Sequence, residues 1–230
     1  MSAPTPLSQT LADLPSPGAR TGWPWSATAE PLPDPAEKET AWPRITLVTP
    51  CFNSAAYLEE TIRSILLQRY PNLEYLIIDG GSTDGSVEII RKYAPWLSGW
   101  VSEPDGGQYP AINKGFARAT GRILNWINGD DILLPGALRQ VGMAFLEHPD
   151  HLLAGGHYVV FGEQRQTMEL AFGLEAANFA RYWENAWSWN STATFFTDQM
   201  WQRCGPLNEN MRFAADYELT LKFATHFPIH

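Results

Sequence analysis

The sequence predicts an α/β protein: a mainly parallel, Rossmann-like sheet flanked by helices, followed by a smaller, less regular region. Two observations predict it. Short β-branched and aromatic apolar runs alternate with amphipathic stretches of helical period between residues 45 and 134. The separations suit βαβ units, whose right-handed crossovers make neighbouring strands parallel.

Taken in order, Ile45-Thr46-Leu47-Val48-Thr49 reads as a strand ended by Pro50. Leu58, Ile62, Ile65 and Leu66 then recur on one helical face. Tyr75-Leu76-Ile77-Ile78 is a second strand, closed by the turn-rich Asp79-Gly80-Gly81-Ser82-Thr83-Asp84-Gly85. Ser86 to Tyr93 forms a short helix with Val87 and Ile90 inward, and Trp100-Val101 is a weak third strand. A helix over Ala111 to Ala119 stops at Gly121 as a C-terminal cap. Ile123 to Ile127 is a fourth strand, leading into Asn128-Gly129-Asp130-Asp131. Beyond Pro135 we expect a helix near 136–147, a strand over Leu152–Phe161 and a helix around Ala215–Ala224. Residues 1–42 are rich in Pro, Ser, Thr and acids, a flexible-linker composition in which Trp23 and Trp25 are docking points. The globular part is 43–230, with halves 43–134 and 135–230.

Composition bounds the function. The chain has 230 residues, 44% hydrophobic and 18% charged, as in an ordinary globular protein. A net charge of −9 argues against nucleic acid or an anionic membrane as main partner, since both reward clustered Lys and Arg. Cys51 and Cys204, far apart, imply neither a disulfide framework nor a zinc site, so the reducing cytoplasm is expected. Neither a signal peptide nor an apolar run of about 18 residues is found, which leaves only peripheral membrane contact open. Oligomeric state has no signal here.

Three strand ends deliver polar groups to one edge of the sheet: Thr49-Pro50-Cys51-Phe52-Asn53, then Asp79, then Asp130-Asp131. Open parallel sheets bind ligands at that edge. One acid in a turn is ordinarily a cap or an Asx-turn, but recurrence at equivalent strand ends points to a site. Adjacent carboxylates repel each other unless neutralised, and Mg²⁺ or Mn²⁺ can bridge such a pair to a diphosphate. No G-x-G-x-x-G follows the first strand and no P-loop is present, which disfavours dinucleotide oxidoreductases and P-loop NTPases.

These segments together resemble the inverting glycosyltransferase family 2, which has the GT-A fold. The matching residues are Ile45 to Ser54, Tyr57 to Gln68, Ile78 to Gly85, Ser102 to Gly107, Ala111-Ile112-Asn113-Lys114-Gly115 and Asn128-Gly129-Asp130-Asp131. The resemblance covers roughly residues 43–225. It implies a nucleotide-sugar-binding half (43–134) and an acceptor-side half (135–230). Thr49, Pro50 and Asn53 would lie in the loop under the nucleotide. Asp79 would hydrogen-bond the base, with Asp105 and Asn113 walling the same pocket. Asp130 would face the ribose or sugar and flank the metal, which Asp131 would ligate. Phe213-Ala214-Ala215-Asp216-Tyr217-Glu218-Leu219 resembles the family's ED-type helix start, which makes Asp216 the catalytic base. Relatives usually continue past that helix, so a shortened second half is also an expectation.

Three positions depart from the family pattern. Gly80 and Ala215 stand where an acid is common, and Pro110 stands where Asp is common. Tyr182, Trp183, Trp187 and Trp189 cluster on the acceptor side, where aromatic faces can stack on sugars or pack a core. The expectation is a metal-dependent inverting glycosyltransferase in polysaccharide, glycan or glycolipid synthesis. It would use Mn²⁺ or Mg²⁺, a nucleoside diphosphate sugar and a saccharide or lipid-linked hydroxyl acceptor. One alternative is a nucleotidyltransferase of sugar-nucleotide synthesis, although Thr49 to Ser54 lacks the Gly- and Arg-rich triphosphate loop. Another is a non-catalytic nucleotide- or carbohydrate-binding module.

Overall fold

A computed structural model describes residues 11–26, 42–161, 167–170 and 190–227. In chain order its elements are β1 (Ile45–Cys51), α1 (Leu58–Leu66), β2 (Leu73–Asp79), α2 (Ser86–Tyr93), β3 (Gly99–Ser102), α3 (Gln108–Phe116) and β4 (Ile123–Trp126). There follow α4 (Ala137–Glu147), β5 (Leu153–Gly155), β6 (Tyr158–Phe161), β7 (Thr167–Leu170), β8 (Thr194–Thr197), α5 (Asp198–Cys204) and α6 (Ala215–His226).

β1 is the axis. All its residues are buried, as befits a strand covered by helices on both faces. It pairs in parallel with β2 from Ile45↔Leu73 to Cys51↔Asp79, and with β4 from Ile45↔Ile123 to Val48↔Trp126. The sheet order is β3-β2-β1-β4-β8-β5, with β8 antiparallel to both β4 and β5. β6 and β7 form a separate antiparallel pair. On one face, Ile45, Leu47 and Ile77 of the sheet meet Leu58, Ile62 and Ile65 of α1 and Ile90 of α2. On the other, Val48, Leu76 and Ile78 meet Ile112 and Phe116 of α3 and Leu219 and Phe223 of α6. Phe116 packs edge-on against Trp126, Phe196 and Trp201, the geometry that aromatic quadrupoles favour.

The structure differs from the sequence expectation at several elements. β1 runs through Pro50 to Cys51. α3 starts at Gln108, and Gly121 does not cap it. A Cβ at Gly121 would lie 2.5 Å from the Thr46 hydroxyl and 2.8 Å from the Thr46 backbone nitrogen, so glycine is needed there for close approach. The run Leu152–Phe161 divides into β5 and β6, while β8 and α5 were not expected. Of the segment 1–42, expected to be flexible, residues 11–26 are docked. Arg63 of α1 is only 4% exposed. It donates to the carbonyls of Pro15 (2.8 Å), Pro24 (3.1 Å) and Trp25 (3.3 Å) and to the Tyr93 hydroxyl (3.2 Å). Leu11 and Leu14 pack on the core, and the Trp23 indole N–H donates to the Leu133 carbonyl at 2.7 Å.

Glu74 locks the edge opposite the candidate site. Its buried carboxylate accepts from the Thr46 hydroxyl (2.5 Å), the Thr120 hydroxyl and amide (2.7 Å each) and the Arg44 guanidinium (3.0 Å). Burial pushes its pKa up, but the donors from Thr46, Thr120 and Arg44 outweigh this and hold it below the usual carboxylate range.

Arg63→Met, which strands three carbonyls, should lower unfolding free energy by about 3 kcal/mol in urea melts and speed proteolysis near residues 11–26. Glu74→Gln should cost about 2 kcal/mol at neutral pH. A depressed carboxylate stabilises above its unfolded pKa of about 4.3 and loses that contribution as pH falls through its lower folded value. The wild-type advantage over Glu74→Gln should therefore shrink below about pH 4.

Candidate active site

The C-terminal edge of β1, β2 and β4 opens because of Pro50. The Val48 carbonyl still accepts from the Ile127 amide at 2.9 Å, the last link between β1 and β4. The Pro50 nitrogen points to the same side two residues on, where β4 has ended and no donor is required. On the other side the Gly80 amide donates to the Cys51 carbonyl at 2.8 Å, keeping β1 and β2 together.

The loops after β1 and β2 are stitched to each other. Asn53, exposed and left-handed at φ 49°, donates its amide to the Ser82 hydroxyl (2.8 Å) and accepts from the Thr83 amide (2.9 Å). Asn tolerates that conformation better than most residues. The Ser54 amide donates to the Ser86 hydroxyl and the Ala55 amide to Asp84, both at 2.9 Å.

Asp79 organises this second loop. It has no exposed surface. One oxygen accepts from the Ser102 hydroxyl (2.7 Å), the Ser82 amide (3.0 Å) and the Gly81 amide (3.1 Å), and the other from the Ser82 hydroxyl. Burial raises its pKa, but the donors from Ser82, Ser102 and Gly81 prevail and hold it low. Both oxygens are thus engaged by the chain. Asp105 lies alongside. Its Oδ1 accepts from the Gly107 amide at 2.8 Å, while its Oδ2 is buried with no hydrogen-bond partner among the described residues. A Cβ at Gly80 would sit 2.9 Å from Asp105 Oδ1.

Two expected site residues are used elsewhere. The Thr49 hydroxyl is buried and hydrogen-bonded to the Tyr75 hydroxyl at 3.0 Å, inside the core between β1 and β2. Asn113 donates to the Leu207 carbonyl (2.9 Å) and Glu209 (2.8 Å) and accepts from the Leu207 amide (2.9 Å), joining α3 to the loop after α5. Pro110 falls in the first turn of α3, where a missing N–H leaves nothing unpaired.

The acidic pair closes the edge beyond β4. Gly129 passes close to Ser54, whose hydroxyl would be 3.1 Å from an added Cβ. Asp131 is half-buried, and its Oδ2 accepts from the Thr192 hydroxyl (2.8 Å) and the Asn128 amide (2.9 Å). Burial, together with the charge of exposed Asp130, raises its pKa against the donors of Thr192 and Asn128. Among the described residues neither aspartate has a Lys or Arg partner. No group of three His, Cys, Asp or Glu converges there among the described residues. The pair fits an octahedral cation that takes one or two carboxylates and fills its sphere with phosphate and water. The following loop is held by the Leu133 amide on Ser64 (3.1 Å) and by Gln68 on the Leu134 carbonyl (3.0 Å).

Asp216 reaches this region through α3. The Gln108 amide donates to Asn128 at 2.6 Å, and the next residue, Tyr109, accepts from the Ala215 amide at 3.2 Å. Burial raises the Tyr109 phenol pKa; the Ala215 amide opposes this and the charge of Asp216 adds to it. Asp216 thus stands beside the first turn of α3. Its carboxylate is half-buried and, among the described residues, accepts from the next amide, Tyr217, at 3.0 Å. Ala215 is fully buried in the core, which explains why no acid stands there. Gln108, Tyr109 and Thr192 escaped the sequence reading. The first two directly follow the Gly106-Gly107 signal, whereas Thr192 carried none. Tyr182, Trp183, Trp187 and Trp189 lie outside the described residues.

The family model described as Glycosyl transferase family 2 matches residues 46–207. An uncharacterized glycosyltransferase of Mycobacterium tuberculosis (strain ATCC 25618 / H37Rv) is 39% identical over 93 residues, 40% of this chain and 36% of that protein. The PGL/p-HBAD biosynthesis glycosyltransferase of Mycobacterium bovis (strain BCG / Pasteur 1173P2) is 29% identical over 187 residues, 79% of this chain and 70% of that one. S. aureus TarS 1-349 in complex with UDP-GlcNAc superposes with a TM-score of 0.60 and 18% identity, covering 78% of this chain and 52% of TarS 1-349. The mannosyltransferase PcManGT from Pyrobaculum calidifontis, in complex with GDP-Man and Mn²⁺, superposes with a TM-score of 0.58 and 22% identity, covering 85% and 54%. These likenesses establish the GT-A fold. The chain spans about a third of the M. tuberculosis relative and little more than half of these solved neighbours.

Asp79→Asn replaces an acceptor of four donors by a group that must itself donate, so the loop over residues 80–84 should loosen. Denaturant unfolding should show a loss of about 2–3 kcal/mol, and amide exchange at Gly81 and Ser82 should quicken.

Proposed function

The chain belongs to glycosyl transferase family 2, and from that premise we propose that it moves a glycosyl residue from a nucleoside diphosphate sugar to a hydroxyl acceptor with inversion. The observation that carries this reading is one hydrogen-bonded path, Asp131–Asn128–Gln108, continued by Tyr109 to the helix start bearing Asp216. It brings an acidic pair and a lone carboxylate to the same sheet edge. The neighbours bound to UDP-GlcNAc and to GDP-Man with Mn²⁺ support a donor of this class.

In this reading the nucleotide lies across the ends of β1 and β2, over Pro50 and Asn53, with its diphosphate toward Asp130 and Asp131. Those two carboxylates would hold a divalent cation, Mn²⁺ or Mg²⁺, whose chemistry is to offset charge on the diphosphate. Asp216 takes the proton from the acceptor hydroxyl. That oxygen forms the new bond to the anomeric carbon from the face opposite the diphosphate, which leaves with the electrons of the broken C–O bond. Asp130 faces the donor's ribose or sugar. The acceptor is a saccharide or lipid-linked hydroxyl of polysaccharide, glycan or glycolipid synthesis. Cys51 and Cys204 are free and buried, in keeping with a reducing, cytoplasmic setting. No described helix is long and apolar enough to cross a membrane.

Titration of UDP, GDP, dTDP and CDP by calorimetry should give binding of at least one that strengthens when Mn²⁺ is added. Equal or absent binding with and without metal would overturn the donor site. Asp216→Asn should lower kcat by about 10³-fold, near the value of a positioned base, and leave nucleotide affinity unchanged. Retained transfer would place the base elsewhere.

A further inference from the structure

We propose that Asp105, and not Asp79, reads the donor's nucleobase, and that it selects bases with a ring N–H at their pairing edge: uracil, thymine or guanine. This rests on the donor site proposed above and assigns its specificity. Asp79 is set apart by its surroundings, because its two oxygens already take four donors from the chain. Asp84 is also committed, to the amides of Ala55 and Ser86 and the Ser86 hydroxyl. Asp105 differs. One oxygen holds the Gly107 amide at 2.8 Å, and the other is a buried acceptor without a donor among the described residues. Such an oxygen costs free energy until an N–H or O–H meets it.

Its place follows from Gly80. An added Cβ there would lie 2.9, 3.2 and 3.3 Å from Oδ1, Cγ and Oδ2 of Asp105, so the carboxylate occupies the space that a side chain at position 80 would fill. The turn carrying Asp105 is pinned to the end of β2, with the Glu103 amide on the Asp79 carbonyl at 3.0 Å. Three residues on, Gln108 is bonded to Asn128 beside the acidic pair. A base at Asp105 and a diphosphate at Asp131 therefore lie along one edge. An ionised carboxylate only accepts. It suits N3–H of uracil or thymine and N1–H and N2–H₂ of guanine, whereas cytosine N3 and adenine N1 turn lone pairs to the carboxylate and leave only one exocyclic amino group to donate.

The test is calorimetry on the full chain in Mn²⁺ with UDP, dTDP, GDP, CDP and ADP. Wild type should bind at least one of the first three about tenfold or more tightly than CDP and ADP. Asp105→Asn keeps an acceptor for the Gly107 amide but turns Oδ2 into a donor. It should weaken the preferred nucleotide about 10- to 100-fold and narrow the gap to CDP, with Tm kept. Asp105→Gly should lose similarly, and Gly80→Asp combined with Asp105→Gly should recover most of the affinity by returning a carboxylate to the same place. Affinity within about twofold of wild type in Asp105→Asn overturns the proposal, as does a wild-type preference for CDP or ADP, or a folded double variant no better than Asp105→Gly. A wild type that binds none of the five overturns the donor site itself, a different result from a nucleotide bound without regard to residue 105.

Discussion

The rest of the molecule depends on the parallel register of β1 between β2 and β4. Parallel pairing sends the carboxyl ends of three strands to one edge, and full burial of β1 forbids a slip, since shifting by one residue would turn Val48 and Leu47 to the wrong faces. Glu74 adds a polar lock at the far end. A buried carboxylate is tolerable only when donors surround it, and Arg44 and Thr46 of the β1 segment and Thr120 of the loop ahead of β4 supply them. Gly121 lets the incoming chain approach closely enough for its own amide to join the Thr46 hydroxyl at 2.9 Å. Pro50 then ends the pairing with β4, so the edge opens where the polar loops begin.

What separates scaffold from site is whether a carboxylate is already satisfied. Glu74, Asp79 and Asp84 each accept several hydrogen bonds from the chain, and each holds a pKa below its ordinary value against the push of burial. Asp131 goes the other way: burial and the neighbouring Asp130 raise it, and the donors of Thr192 and Asn128 do not compensate. Asp105 keeps an unmet oxygen, and Asp216 has only its neighbour's amide. Among the described residues, these three carboxylates belong to the loops or the helix start at the open edge. This contrast is physical, and it sorts aspartates that look alike in the sequence.

The sequence revealed most where periodicity speaks. β1, β2, β4, α1 and α2 follow from apolar runs and helical spacing, and the acidic pair follows from its place after β4. Thr194-Phe195-Phe196-Thr197 is too short a run to distinguish from a loop, and its antiparallel place between β4 and β5 is set by contacts far along the chain. The same distance hid the roles of Thr192 and Tyr109, whose partners are 61 and 106 residues away. Thr49, Asp79 and Asn113 had the right address, and only their neighbours reveal that they are already bonded. Residues 11–26 were legible in part, since Trp23 and Trp25 read as docking points within a linker-like composition. Pro-rich sequence reads as linker, yet Arg63 gathers three of its carbonyls, and a proline's carbonyl accepts as well as any other.

Electrostatics limits what this edge can receive. The chain carries a formal charge of −9, and its unsatisfied carboxylates gather where a diphosphate is proposed to bind. An anion brought there alone would add repulsion to a site that already strains Asp131. A cation arriving with it relieves the Asp130–Asp131 repulsion and the diphosphate charge together, which is why the acidic pair and the ligand would be compatible only as a three-part assembly. At the base end the same kind of side chain needs no metal, because an N–H satisfies a carboxylate directly and in a fixed direction. Charge compensation is therefore non-specific at one end of the donor and directional at the other. In the proposed site, the acidic pair sets how tightly a nucleoside diphosphate is held, and discrimination among nucleotides rests with Asp105.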